Sequence, residues 1–133
     1  MDNMKHIPAE QLRAFCAELF EKGGMSAEDA ATYADLLVFA NLRGIDSHGV
    51  LRAGNYFDRM QCGAINPKPQ MKIEQIAPAL HLIDADDAAG CIASKKAMEL
   101  SIEAAKQYGV GITGVFGSNH FGAAAYYSGM AVE

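Results

Sequence analysis

The chain has 133 residues, half of them apolar and one fifth charged, with a formal net charge of −5. That composition belongs to one globular domain able to bury its own core, and it excludes disordered and fibrous classes. Acids and bases are interspersed and no Lys/Arg cluster tracks a phosphate backbone, so nucleic acid and anionic membrane surfaces are disfavoured as partners.

The start of the chain, Met1 to His6, lacks the basic stretch and apolar run of a secretory leader. The first predicted helix follows Pro8 and runs to Lys22, with Leu12, Phe15, Cys16, Leu19 and Phe20 as its apolar stripe. Gly23-Gly24 ends it. Ser26 to Asp29 is a capping signal for a second helix, which runs to about Leu42 and carries Ala30, Tyr33, Ala34, Leu37 and Val38 inward. The longest apolar run, Leu36 to Ala40, is too short to cross a bilayer. Asp46 or Ser47 is expected to cap a third helix from about Val50 to Met60.

Past the Pro67/Pro69 connector the pattern changes. Residues 71–76 and 79–84 read as strands, 84–90 as a solvated acidic loop, and 92–108 as a helix ending at Gly109. Residues 110–115 read as a short buried strand, and a last helix starts at Ala123. The expected fold is therefore α/β: a helical region over 1–66, then the beginning of an α/β domain over 67–133. A single strand–helix crossing cannot cover a parallel sheet on both faces, so the α/β part reads as cut short. Cys16, Cys62 and Cys91 are an odd set without CxxC spacing, which suits three reduced thiols in the cytosol rather than a disulfide or a metal site.

Two short turns carry the chemistry. In the first, Arg43 to Gly49, the helical spacing of His48 and Arg52 puts imidazole and guanidinium on one face beside Ser47. An imidazole can exchange a proton with an alkoxide, and a guanidinium can hold a carboxylate through two parallel hydrogen bonds. Arg43 offers a further positive charge. The plainer alternative is that Asp46 and Ser47 cap a helix and His48 is a partly exposed first-turn residue. In the second, Gly117 to Gly122, the polar run Ser118, Asn119 and His120 follows a strand and precedes a helix, the end of a strand at which α/β folds bind ligands. Here the alternative is a tight βα turn with an incidental histidine. The sequence has no GxGxxG after a strand, no phosphate loop, no HExxH and no GxSxG, and Asp84 to Asp87 lacks the spacing of a calcium loop. His81 and His6 read as structural or solvated.

Taken with Asp87-Ala88-Ala89-Gly90 and its helix, the stretches Ala40 to Arg52 and Ser118 to Gly122 resemble the malate/L-lactate dehydrogenase family of the second type. That family also holds ureidoglycolate and sulfolactate dehydrogenases, 2,3-diketogulonate reductase and a cyclic-imine carboxylate reductase. The resemblance implies an oxidoreductase that moves a hydride between NAD or NADP and a 2-hydroxy or 2-keto acid, dimeric, with an α/β cofactor fold unlike the standard Rossmann one. It implies His48 and His120 as candidate proton donors or acceptors and Ser47 and Arg52 at the substrate. Family members are much longer, so most cofactor-binding residues are expected beyond Glu133. The other reading is a non-catalytic partial domain that associates with a partner or with itself.

Overall fold

The computed structural model describes residues 6–132. Residues 1–5, which hold most of the segment read for a secretory leader, and Glu133 lie outside them. The element order is α1 (Ala9–Lys22), α2 (Ala27–Leu42), two 3-10 turns (Asp46–His48 and Val50–Arg52), α3 (Ala53–Gln61), β1 (Lys72–Ala77), β2 (Leu80–Ala88), α4 (Gly90–Tyr108), β3 (Ile112–Ser118) and α5 (Ala124–Met130).

The Ser26 hydroxyl accepts from the Asp29 amide at 3.1 Å, the cap that the sequence predicts for α2. α2 is the centre of the molecule. Ala30, Tyr33, Ala34, Leu36, Leu37, Val38 and Ala40 are all buried, so it is covered on more than the one face that an amphipathic helix needs. Its side chains join Cys16 and Phe20 of α1, Tyr56 and Met60 of α3, Cys91 and Ile92 of α4 and Tyr127 of α5 in one core. Burial of a large apolar side chain contributes roughly 1.5–3 kcal/mol, against about 0–1 kcal/mol for a part-exposed ion pair. Apolar contact therefore decides the packing of α1 on α2, and the Arg13–Asp35 pair at 2.8 Å only trims it. Phe15 departs from the predicted stripe: it is 60% exposed, since the face buried against α2 is centred on Cys16 and Phe20.

The sheet has the order β1-β2-β3. β1 and β2 form an antiparallel hairpin, and β2 and β3 are parallel, joined by the α4 crossover. Gly109 closes α4 in the left-handed conformation at φ 81°. Two expectations are corrected here. The acidic segment is not a solvated loop, because β2 continues to Ala88 through a bulge at Asp86 and Asp87, both at positive φ. Asp86 is exposed but also tied down: its carboxylate accepts from Asn66 Nδ2 and from the Gln70 amide, both at 2.9 Å. β3 is not buried either. Among the described residues it pairs only with β2, α4 covers one face of the sheet, and Ile112 and Phe116 are more than half exposed.

Candidate active site

The first histidine turn is built by local contacts. Gly44, at φ 70°, reverses the chain after α2. Asn41 then braces the turn, donating from Nδ2 to the Asp46 carboxylate at 2.6 Å and accepting at Oδ1 from the Val50 amide at 2.8 Å. Asn41, and neither Asp46 nor Ser47, makes the capping bond to this segment, which corrects the predicted cap. Gly49 lies so close to Asn41 that a Cβ there would run into its side chain. Gly49 is also extended (ψ −157°) and splits the predicted helix start into two 3-10 turns. His48 and Arg52 therefore do not share a continuous helical face. Arg52 instead folds back, Nε donating to the Ser47 carbonyl at 2.8 Å, while the Ser47 hydroxyl lies 2.9 Å from His48 Nδ1.

The second turn is held by contacts distant in sequence. At the end of β3, Asn119 Nδ2 donates to the carbonyls of Asp87 (2.9 Å) and Ala88 (3.2 Å), which the β2 bulge presents. The Arg59 guanidinium of α3 donates to Asn119 Oδ1 at 2.8 Å. The turn passes against the start of α4, where a Cβ on Gly90 would collide with the carbonyl oxygens of Asn119 and His120. Gly122 (φ 79°) then lies on Leu36 of α2, and the Tyr127 hydroxyl donates to the Phe121 carbonyl.

These constraints bring the two histidines together, with ring centroids 5.5 Å apart and planes inclined by 38°. The Tyr56 hydroxyl is 2.8 Å from His120 Nδ1. Arg52, Asn55, Tyr56, Arg59, Asn119 and His120 line a cleft of about 200 Å³ over Ile65. Partial desolvation in the cleft, aided by the nearby charges of His48 and Arg52, holds the His120 imidazole below its usual pKa. Burial pushes the Tyr56 phenol up, so it stays protonated. The arrangement pairs two guanidinium groups, which suit a small anion, with an imidazole able to exchange a proton.

Of the residues that the sequence singled out, His120 and Arg52 line the cleft, His48 stands beside it against the His120 ring, and Ser47 touches His48. Arg43 is elsewhere, its guanidinium stacked 3.5 Å over the Phe39 ring; Arg59 supplies the second positive charge in its place. Tyr56, Arg59 and Asn55 were not singled out. The signal was present, since Asn55/Tyr56 and Arg59 of α3 continue from Arg52 at one-turn spacing. His81 lies on β2 with Nδ1 buried and unpartnered among the described residues, and His6 is exposed. Cys16 and Cys91 are buried, Cys62 is exposed, and all three are free thiols. No described helix is long and apolar enough to cross a membrane.

A family model described as malate/L-lactate dehydrogenase matches residues 7–133. The malate dehydrogenase of Pyrococcus abyssi is 43% identical over 132 residues, 99% of this chain and 36% of that protein. The L-sulfolactate dehydrogenase of Methanocaldococcus jannaschii is 42% identical, over 96% of this chain and 37% of that protein. Among solved structures, malate dehydrogenase from Pyrococcus horikoshii OT3 superposes with a TM-score of 0.95 at 38% identity, over 98% of this chain and 38% of that one. The chain thus spans little more than a third of the length of the relatives it matches.

Proposed function

The chain belongs to the malate/L-lactate dehydrogenase family, and on that footing we propose that it supplies the substrate-binding and proton-transfer part of an oxidoreductase for small 2-hydroxy and 2-keto acids. The observation that carries this reading is the meeting of the two histidine turns at a cleft lined by Arg52 and Arg59. A guanidinium holds the substrate carboxylate, with Arg52 as the candidate the resemblance implies. Ser47, whose hydroxyl lies 2.9 Å from His48 Nδ1, is the other candidate at the substrate that the resemblance implies. One of the paired imidazoles, His48 or His120, gives a proton to the carbonyl oxygen in reduction and takes it back in oxidation. Two guanidinium groups suit an acid with a second anionic group, as malate and sulfolactate both have.

The cofactor proposed for the whole protein is NAD or NADP, which would supply or accept the hydride. The described residues do not fit it. A cleft of about 200 Å³ admits a small acid and not a dinucleotide, and the turns beside it carry no glycine-rich phosphate cradle. What this chain does is bind the acid and move its proton. A homodimer in the cytosol belongs to the same proposal, supported by the exposed apolar residues Ile112 and Phe116 and by three free thiols.

In the whole protein, His48→Ala and His120→Ala are expected to lower kcat/KM for 2-keto acid reduction, by about 10²–10⁴-fold for the proton donor. Near-normal steady-state kinetics in both variants would overturn the assignment. Arg52→Lys should act mainly on KM, because an ammonium loses the two-bond fork.

A further inference from the structure

Both histidines have a hydroxyl on Nδ1, but the two hydroxyls are not equivalent. Ser47 is exposed and adjacent to His48 in sequence, so its hydroxyl rotates freely and water competes for the contact. Tyr56 is only 5% exposed. Its ring is packed at 5.0 Å from that of Tyr33, which stacks in turn on Phe20 at 4.5 Å. The Tyr56 ring also lies nearly parallel to that of His120, 19° apart. The core therefore fixes where the Tyr56 oxygen sits, 2.8 Å from His120 Nδ1. On the far side of the ring, His120 Nε2 makes no hydrogen bond among the described residues.

We infer that Tyr56 is the positioning residue for His120, its hydroxyl oxygen accepting from Nδ1–H so that Nε2 is the nitrogen that exchanges a proton with substrate. This deepens the dehydrogenase reading and rests on it. Proton exchange at Nε2 goes with this polarity. In reduction, Nε2–H of the imidazolium is given to the carbonyl oxygen, and the ring is left neutral with its remaining proton on Nδ1. In oxidation, the Nε2 lone pair takes the hydroxyl proton and the imidazolium is restored. Nδ1 keeps its proton in both states, so one acceptor at Nδ1 serves both and disfavours the inactive tautomer, in which Nε2 is already protonated. Tyr56 can play this part because burial raises its phenol above the usual pKa and keeps it neutral. A neutral oxygen orients the ring without the charge a carboxylate would add.

The groups facing His120 are His48 from the first 3-10 turn, Arg52 from the second, and Tyr56 from α3; Arg59, also on α3, is engaged by Asn119. Among these the Tyr56 oxygen is the acceptor that favours the imidazolium.

The test is ¹⁵N-histidine long-range correlation NMR on the full chain, titrated from pH of about 5 to about 9. Wild type is expected to show neutral His120 with its proton on Nδ1. Tyr56→Phe is expected to move that proton to Nε2 and to lower the His120 pKa further. In the whole enzyme, kcat should fall about 10–100-fold while KM stays within about threefold. The pH at which oxidation switches on should shift to the acid side. A packing role alone would lower the melting temperature and leave tautomer and pKa unchanged, which would overturn the inference. So would a wild-type ring protonated on Nε2, a reading that needs no variant to fold. A correct tautomer in a protein without dehydrogenase activity would support this inference and overturn the enzymatic reading. An active enzyme with the wrong tautomer would do the reverse.

Discussion

The two histidine turns reach the same cleft by opposite means. The first is braced from within: Asn41, Asp46, Val50, Ser47 and Arg52 satisfy one another over a few residues of chain, and the glycines at 44 and 49 make room for it. The second has little local support. It is held by the β2 bulge through Asp87 and Ala88, by α3 through Arg59 and Tyr56, and by close approach to Gly90 and Leu36. A locally braced turn can form before the domain packs. One held from several distant elements is positioned only when all of them are in place, so the His48–His120 geometry reports on the whole fold.

The largest effect expected from perturbing this contrast is at Gly90. Gly90→Ala puts a methyl group against backbone carbonyls that cannot rotate away, so the second turn or the start of α4 must move. A loss of about 1–3 kcal/mol is expected by chemical denaturation, with His120 resonances displaced and those of His48 much less so. Asn119→Ala comes next. It removes the side-chain donor that ties the Asp87 and Ala88 carbonyls, which keep only the Asn66 and Asn119 amides, and leaves the Arg59 guanidinium without its partner; about 1–2 kcal/mol should be lost with the urea m-value unchanged. The smallest is Asn41→Ala, at roughly 0.5–1 kcal/mol, since water can replace the exposed bond to Asp46 and the loss at the Val50 amide is that of a single cap. Its signature is confined to the first turn, with His48 shifted and His120 unmoved. If Asn41→Ala disturbed His120 as strongly as Asn119→Ala does, the distinction between a local and a long-range turn would fail.

A related contrast explains what sequence could and could not show of the fold. The helices of the first half carry their signals on the residues themselves: the Ser26 cap, the glycines after α1, and the apolar periods of α1 and α2. The boundaries read from them fall close to those observed. The sheet was harder. β1 is exposed along its length, so no burial pattern marks it cleanly. The end of β2 is acidic because its carboxylate at Asp86 faces Asn66 and Gln70, partners that no local pattern identifies. β3 has the apolar content of a buried strand and yet lies at the sheet edge, since burial depends on what packs against a strand as well as on its own side chains.

The same division runs through the site. Glycines on either side of a short polar run ending in histidine mark both turns, because the backbone geometry of a tight turn restricts which residues fit, and sequence by itself determined those motifs and the arginine beside the first. Only the tertiary structure decided that Arg59 and not Arg43 faces the cleft, that Gly49 breaks the helical face joining His48 to Arg52, and that Tyr56 meets His120. The contacts of Arg59 and Tyr56 join residues far apart along the chain, whereas the Gly49 break and the Arg43–Phe39 stack are local geometries that helical spacing alone does not reveal. The long-range contacts follow from how α3 packs against α2 and from where the β2 bulge holds the end of β3.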